Sequence, residues 1–492
     1  MNAAVKSSEE AMQGERIEVR NPRSGAVDYH FVAPSTAQLT AMAQRLRVAQ
    51  KPWSARPLAE RIAVLQLFKT ELLARRELII EKLATDTGRY AITLGEFGAV
   101  IGMIDRWCRM APELARPAGG QSTVHPTLSY RSQYVPYQLL GVISPWNFPF
   151  TLAFIDAVPA LLAGCAVLMK PSEVTPRFAE PVRAALHAVP ELAEVLEMWP
   201  GAGATGAQLV SLSDVICFTG SVRTGRMVAE NAARHFIPAF LELGGNDPMI
   251  VTASADLDRA ADIVLRASVS ATGQACQSLE RIYIDRKVFE LFVAKLTARA
   301  ARVEPNWPDL HQGTIGPFIF GKQAEIVAGQ IADAVAKGAR VLTGGTLEDH
   351  GGKWLRPTVL VDVNHSMSVM TDETFGPVIP VMAYDSVDEA VDLANEGAYG
   401  LSAGVIAGTL EEAEAIGMRI DAGGISLNDG SLTGVMHEAE KNSFKLSGMG
   451  GSRMGPAGYL RFFRKKALIR QSGAPVTLDM MSETAAAPRA AR

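Results

Sequence analysis

Apolar residues in the first hundred positions recur at helical spacing. Ile62, Leu65, Phe68, Leu72 and Ile79 share one helical face, and the pattern predicts helices over 34–47, 58–83 and 96–107. Between 117 and 136 the character changes: Gly119, Gly120, Thr123, Val124, Thr127, Tyr130, Tyr134 and Val135 predict an extended segment or hairpin. From Tyr137 short apolar runs alternate with helical ones. Strands are predicted at 139–143, 166–169, 195–199, 214–218 and 239–243, with helices at 154–163, 177–188 and 225–233. Short apolar strands separated by helices imply a parallel sheet covered on both faces. After Gly245 the alternation restarts with strands at 249–251, 281–284, 341–343, 359–361, 378–384 and 402–406, and helices at 257–271, 288–300, 326–337 and 387–395.

One stretch is unusually apolar. Between Arg131 and Lys170 the only charged residue is Asp156. Pro145, Pro149 and Pro159 interrupt the run, and a charge near its middle is costly in a bilayer, so a buried strand, loop and helix are expected instead of a membrane span. Residues 1–15 are polar, arguing against a signal peptide. The ends, 1–15 and 480–492, read as mobile.

Composition narrows the class. At about 150 residues per domain, 492 residues suggest about three units. A formal charge of −4 offers no basic excess for a nucleic-acid partner. Four cysteines make no disulfide framework, which favours a reducing compartment such as the cytoplasm.

Four segments carry candidate chemistry. Cys276, in Ala271-Thr-Gly-Gln-Ala-Cys-Gln-Ser278, follows an apolar helix and is flanked by small and polar residues, a setting where a thiol can face a cleft. Cys108, Cys165 and Cys217 read as small packing residues. Glu242, in Leu241-Glu-Leu-Gly-Gly245, sits on an apolar strand, either in a buried salt bridge or as a desolvated general base. Asn147, in Pro145-Trp-Asn-Phe-Pro149, is either part of a plain turn or a fixed amide donor for an oxyanion. Lys170-Pro-Ser-Glu173 and Phe218-Thr-Gly-Ser-Val-Arg-Thr-Gly225 each leave a strand and open toward a helix, where phosphate binds well. Neither is a Gly-x-Gly-x-x-Gly fingerprint.

Together with Glu373-Thr-Phe-Gly-Pro377, these motifs, in this order and over almost the whole chain, resemble the aldehyde dehydrogenase superfamily. The resemblance implies an α/β fold: a Rossmann-like parallel-sheet cofactor domain (1–117 and 138–243) and a second α/β catalytic domain (244–445). It adds a small β oligomerisation element (118–137 and 463–480), before a mobile tail (481–492).

The same resemblance implies oxidation of a small-molecule aldehyde to the carboxylic acid by NAD, with NADP possible. Cys276 is the implied nucleophile, Asn147 an oxyanion donor and Glu242 the base for hydrolysis. Trp146, Lys170, Ser172, Glu173, Gly203, Gly220, Ser221, Gly225, Leu243, Glu373 and Phe375 are the implied cofactor residues. Met103, Trp107, Phe148, Leu152 and Ile155 would line a substrate tunnel suited to an aromatic or medium-chain apolar aldehyde, whereas Arg106 and Arg109 would suit an acidic semialdehyde. No metal, nucleic acid or membrane is implied, and a homodimer or homotetramer is.

Two departures stand out. Ser452 occupies a position where many relatives carry a glutamate proposed to relay protons, and it is followed by Arg453. His437-Glu-Ala-Glu-Lys-Asn-Ser443 replaces the usual Pro-Phe-Gly-Gly, in a loop (429–444) expected to be mostly solvated while bordering the tunnel. A CoA-acylating enzyme, a cysteine esterase and a catalytically silent binding protein on the same scaffold remain alternatives.

Overall fold

The computed structural model describes residues 14–483. The expected mobile ends at 1–13 and 484–492 lie outside the described residues. Two α/β units are built on separate sheets. The first sheet has six strands in the order Gly448–Met449, Ala239–Glu242, Val215–Thr219, Leu139–Ile143, Ala166–Lys170 and Leu196–Met198. All its pairings are parallel except that of Gly448–Met449, which runs antiparallel with Gly448 opposite Glu242. The chain order therefore reverses between Leu139–Ile143 and Val215–Thr219, a geometry that opens a crevice at the strand carboxyl ends.

The central strands are apolar because both faces are covered: Leu139–Ile143, Ala166–Lys170 and Val215–Thr219 are buried at every position. The helix Pro149–Ala163 explains the apolar stretch. It is buried everywhere except Thr151 and Leu152, starts with Pro149 at its first turn and ends at Gly164 with φ 103°. Its one charge, Asp156, is paired with Arg453 and Arg461. No helix among the described residues is long and apolar enough to cross a membrane.

The second sheet has seven strands in the order Arg340–Thr343, Thr358–Val361, Val378–Tyr384, Leu279–Asp285, Asp247–Val251, Ser402–Ile406 and Gly424–Leu427. Only Arg340–Thr343 is antiparallel to its neighbour. A third, antiparallel sheet joins Gly119–Gln121, Leu128–Pro136 and Phe463–Gln471, the last two paired along nine residues.

Several elements differ from the sequence pattern. The predicted helix over 58–83 is two helices, Leu58–Ala74 and Arg76–Thr87, broken at Arg75. A hairpin of Arg16–Arg20 and Val27–Val32 was not predicted, because it is largely exposed and lacks a buried alternating face. The helix Gly203–Leu212 was also missed, since its glycines, Gly203 and Gly206, weaken the helical signal.

Candidate active site

A cleft of about 1150 Å³ opens at the carboxyl ends of the first sheet. Its wall includes Trp146, Asn147, Leu152, Lys170, Ser172, Glu173, Gly203, Gly220, Ser221, Leu243, Cys276, Glu373 and Phe375. Most of the residues singled out in the sequence thus meet around one space.

At one end, Lys170 leaves its strand fully enclosed. Its ammonium donates to the Gly201 carbonyl and lies 3.6 Å from the Glu173 carboxylate. Burial lowers the basicity of Lys170, and Glu173 opposes that. Ser221 caps the helix Val222–Arg234, accepting a hydrogen bond from the Thr224 N–H, so the helix N-terminus faces the cleft. Gly225 supports this turn from behind: a Cβ there would stand 2.5 Å from Leu243 Cδ2. An anion-attracting helix end, a carboxylate and a narrow glycine-lined turn suit a dinucleotide.

In the middle, Trp146 meets Phe375 edge to face, with ring centroids 5.4 Å apart, and Phe320 at 6.1 Å. Phe375 has φ 53°, held by a carboxylate the sequence reading missed. Glu280 accepts from the Thr374 and Phe375 N–H groups at 2.8 and 2.7 Å. Glu373, in turn, accepts from the Gly245 N–H at 3.1 Å, and burial pushes its carboxyl up to about 7. Gly244 and Gly245 permit this closure. A Cβ on Gly244 would lie 2.3 Å from Glu373 Oε2, and one on Gly245 would lie 2.7 Å from the Cys276 carbonyl oxygen.

Asn147 and Cys276 share the cleft wall, and Glu242, outside that wall, lies close enough for its charge to act on the Cys276 thiol. The Asn147 amide donates to the Gln274 carbonyl at 3.0 Å, leaving its second N–H for another acceptor. Cys276 is half-buried, whereas Cys108, Cys165 and Cys217 are buried. Burial pushes the Cys276 thiol up to about 12; the charge of Lys441 opposes this, and Glu373, Asp247 and Glu242 add to it. Glu242 ends its strand with Oε2 accepting from the Ser443 hydroxyl at 2.9 Å and Oε1 3.8 Å from Arg453 Nε.

Arg89, also missed, ties this end together. It is fully buried, donates to the Ala271 carbonyl at 2.9 Å and to the Asn147 carbonyl, and lies 5.3 Å from the Phe148 ring centre. Burial lowers its guanidinium to about 10. No periodicity marks such a residue; a charge just after the helix-ending Gly88 is its only signal. Glu280 was detectable, because it is a carboxylate within the buried part of a strand, flanked by Leu279 and, beyond Arg281, Ile282.

The proposed tunnel residues divide. Leu152 reaches the cleft and Phe148 lies half-buried beneath Arg89. Met103, Trp107 and Ile155 are buried in the first unit's core, with Trp107 stacked on Tyr459 at 6.3 Å. Among the described residues, no group of three or more His, Cys, Asp or Glu could hold a metal ion.

A sequence model of the aldehyde dehydrogenase family matches residues 9–468. The chain belongs to the aldehyde dehydrogenase family. It is 36% identical over 425 residues to "Putative succinate-semialdehyde dehydrogenase", an NADP(+)-labelled protein of Mycolicibacterium smegmatis, covering 85% of this chain and 81% of that protein. It is 35% identical over 449 residues to the 4,4'-diapolycopene aldehyde oxidase of Methylomonas sp, covering 90% of this chain and 83% of the other. The solved structure of "Putative Aldehyde Dehydrogenase PutA" from Anabaena variabilis superposes with a TM-score of 0.92 at 50% identity, covering 94% of this chain and 99% of that one. The mixed α/β fold, with its two parallel-sheet units, is thus that of the family.

Proposed function

We propose that this aldehyde dehydrogenase oxidises an aldehyde to its carboxylic acid through a covalent intermediate on Cys276. The observation that carries the reading is that Asn147 and Cys276 line the same cleft as the residues suited to a dinucleotide, with Glu242 near enough for its charge to act on Cys276. The Cys276 thiolate attacks the aldehyde carbon, and the second Asn147 N–H stabilises the resulting oxyanion. Oxidation of that adduct to a thioester would release a hydride, for which a bound NAD(P)+ would supply the acceptor. Glu242 then takes a proton from water as its oxygen bonds to the acyl carbon, and the C–S bond breaks to return the thiolate. Lys170, Glu173, Ser221 and Glu373 would hold the cofactor, and a carboxylate such as Glu173 facing a ribose would favour NAD over NADP.

Leu152 on the cleft wall, with Phe148 half-buried beneath Arg89, supports an aromatic or medium-chain apolar aldehyde as substrate. A second reading, an acidic semialdehyde, is favoured by the name of the Mycolicibacterium smegmatis relative and by half-buried Arg106. Glu438 stands beside Arg106 and already offsets its charge, which weighs for the apolar substrate. The exposed strand Phe463–Gln471, paired on one side only, supports assembly of the chain as a homodimer or homotetramer, and four free cysteines support a reducing compartment. The test is NAD(P)H formation from hexanal, benzaldehyde and succinic semialdehyde with each cofactor. Turnover fastest with hexanal or benzaldehyde and NAD+ is expected. Turnover confined to succinic semialdehyde overturns the apolar reading, and none with any of the three overturns both.

A further inference from the structure

Buried Arg453 and half-buried Glu242 form a unit that the family motifs do not specify. Ser452, the residue expected near the relay position, is buried and turned away: its hydroxyl accepts from the Lys441 and Met454 N–H groups. Arg453 points inward instead. It donates to Asp156 at 3.1 Å and to Thr219 Oγ1 at 2.8 Å. Its Nε–H has no hydrogen-bond partner, is buried, and stands 3.8 Å from Glu242 Oε1. Arg461 pairs with the other oxygen of Asp156 and lies 4.7 Å from the Phe240 ring centre, on Glu242's own strand.

Charge counting connects these groups. Two guanidinium ions face one Asp156 carboxylate, leaving one positive charge in excess, and Glu242 is the next carboxylate within reach. An unpaired buried charge is expensive, so the unpartnered Arg453 Nε–H holds the Glu242 carboxylate turned toward it. We propose that Arg453 is a positioning residue for the proposed base, holding the Glu242 side chain aligned for thioester hydrolysis. This rests on the reading of Glu242 given above. In that step the water oxygen bonds to the acyl carbon, one water proton passes to Glu242, and the C–S electron pair returns to Cys276.

Burial works against the charge on Arg453, yet Asp156 and Glu242 outweigh it and hold the guanidinium above its ordinary value. The other groups facing this unit are Cys217 on the neighbouring strand, Cys276, and Lys441 and Ser443 on the loop before Phe444–Lys445, with Asp247 and Glu373 behind Cys276. None of them supplies a second guanidinium to Glu242.

The test combines pre-steady-state and steady-state NADH formation across pH, using hexanal or the fastest aldehyde of the panel above. Wild type and R453M are both expected to give a burst of about one NADH per site. In R453M steady-state turnover falls about tenfold or more, and its acidic limb moves up by at least about half a pH unit. R453K recovers the limb to near wild type. D156N, which removes the structural partner but leaves Arg453 beside Glu242, does not move the limb upward. A limb unmoved in R453M, or moved equally in D156N, overturns the proposal.

Should R453M fail to fold, thermal melts of E242Q and E242Q/R453M decide. The double variant has balanced buried charge and is expected to melt no lower than E242Q, and a further drop overturns the proposal. Failure of the underlying reading has its own signature: steady-state turnover in E242Q equal to wild type.

Discussion

Replacing Arg89 with Met removes a buried cation that joins two backbone carbonyls, those of Asn147 and Ala271, on the segments carrying the proposed oxyanion donor and nucleophile. Each carbonyl belongs to a buried residue and loses a charged donor, at about 1–3 kcal/mol per group. Burial already penalises the guanidinium, lowering it to about 10, so part of that loss is offset. Two carbonyls make a gross cost of about 2–6 kcal/mol, and the offset keeps the net loss at no more than about 3 kcal/mol, so Tm falls by a few degrees without unfolding the chain. The kinetic effect is larger. Asn147 also donates to Gln274 at 3.0 Å, two residues before Cys276, so loosening its backbone displaces donor and nucleophile together. A displacement of about 1 Å costs about a hundredfold, and loss of an oxyanion donor about 10²–10³. R89M is therefore expected to lower kcat/KM about a hundredfold, measured by NADH formation with NAD+ held saturating. The double variant R89M/N147A should be little worse than N147A, because both act through one amide. A kcat/KM for folded R89M within about threefold of wild type refutes the reasoning.

Glu96 caps the helix Pro149–Ala163 by accepting from the Phe150 and Thr151 N–H groups at 2.7 and 2.9 Å, and burial raises its carboxyl from 4.5 to about 7. Its folded value exceeds its unfolded one, so the stability it contributes is full below pH about 4.5 and is lost as pH rises through about 7, by up to about 3 kcal/mol. E96Q should flatten the fall in Tm between those pH values; an unchanged slope contradicts this. E173Q removes the carboxylate 3.6 Å from Lys170 and should raise the ratio of kcat/KM for NADP+ over NAD+ about tenfold, an unchanged ratio arguing against Glu173 as the ribose-facing group. K441M removes the charge that most opposes the upward shift of the Cys276 thiol, so alkylation of Cys276 by iodoacetamide at fixed pH should slow about threefold. An equal rate would show that Lys441 does not act on the thiol.

What could be read from the chain was what repeats or what is rare. The apolar runs gave both parallel sheets, because strands covered on both faces leave no polar alternation to confuse them. Glu242 and Cys276 stood out as reactive side chains in unlikely neighbourhoods. What stayed hidden depends on contacts distant in sequence. Arg89 serves carbonyls at 147 and 271, and Arg453 serves carboxylates at 156 and 242; a lone arginine carries no local sign of either partner. The loop over 429–444 is mostly exposed, as its charges suggested, yet Ser443 turns inward onto Glu242, and no composition rule separates that serine from its exposed neighbours.

The covalent role of Cys276 is the centre of the account, and E242Q offers the most direct view of it. With attack on the aldehyde intact and hydrolysis slowed, hexanal and NAD+ should leave an acyl group on the enzyme after one equivalent of NADH has formed. Digestion and mass spectrometry of the quenched protein should find that acyl group on the peptide containing Cys276. One equivalent of NADH with Cys276 unmodified, or the acyl group on Cys108, Cys165 or Cys217, would contradict it.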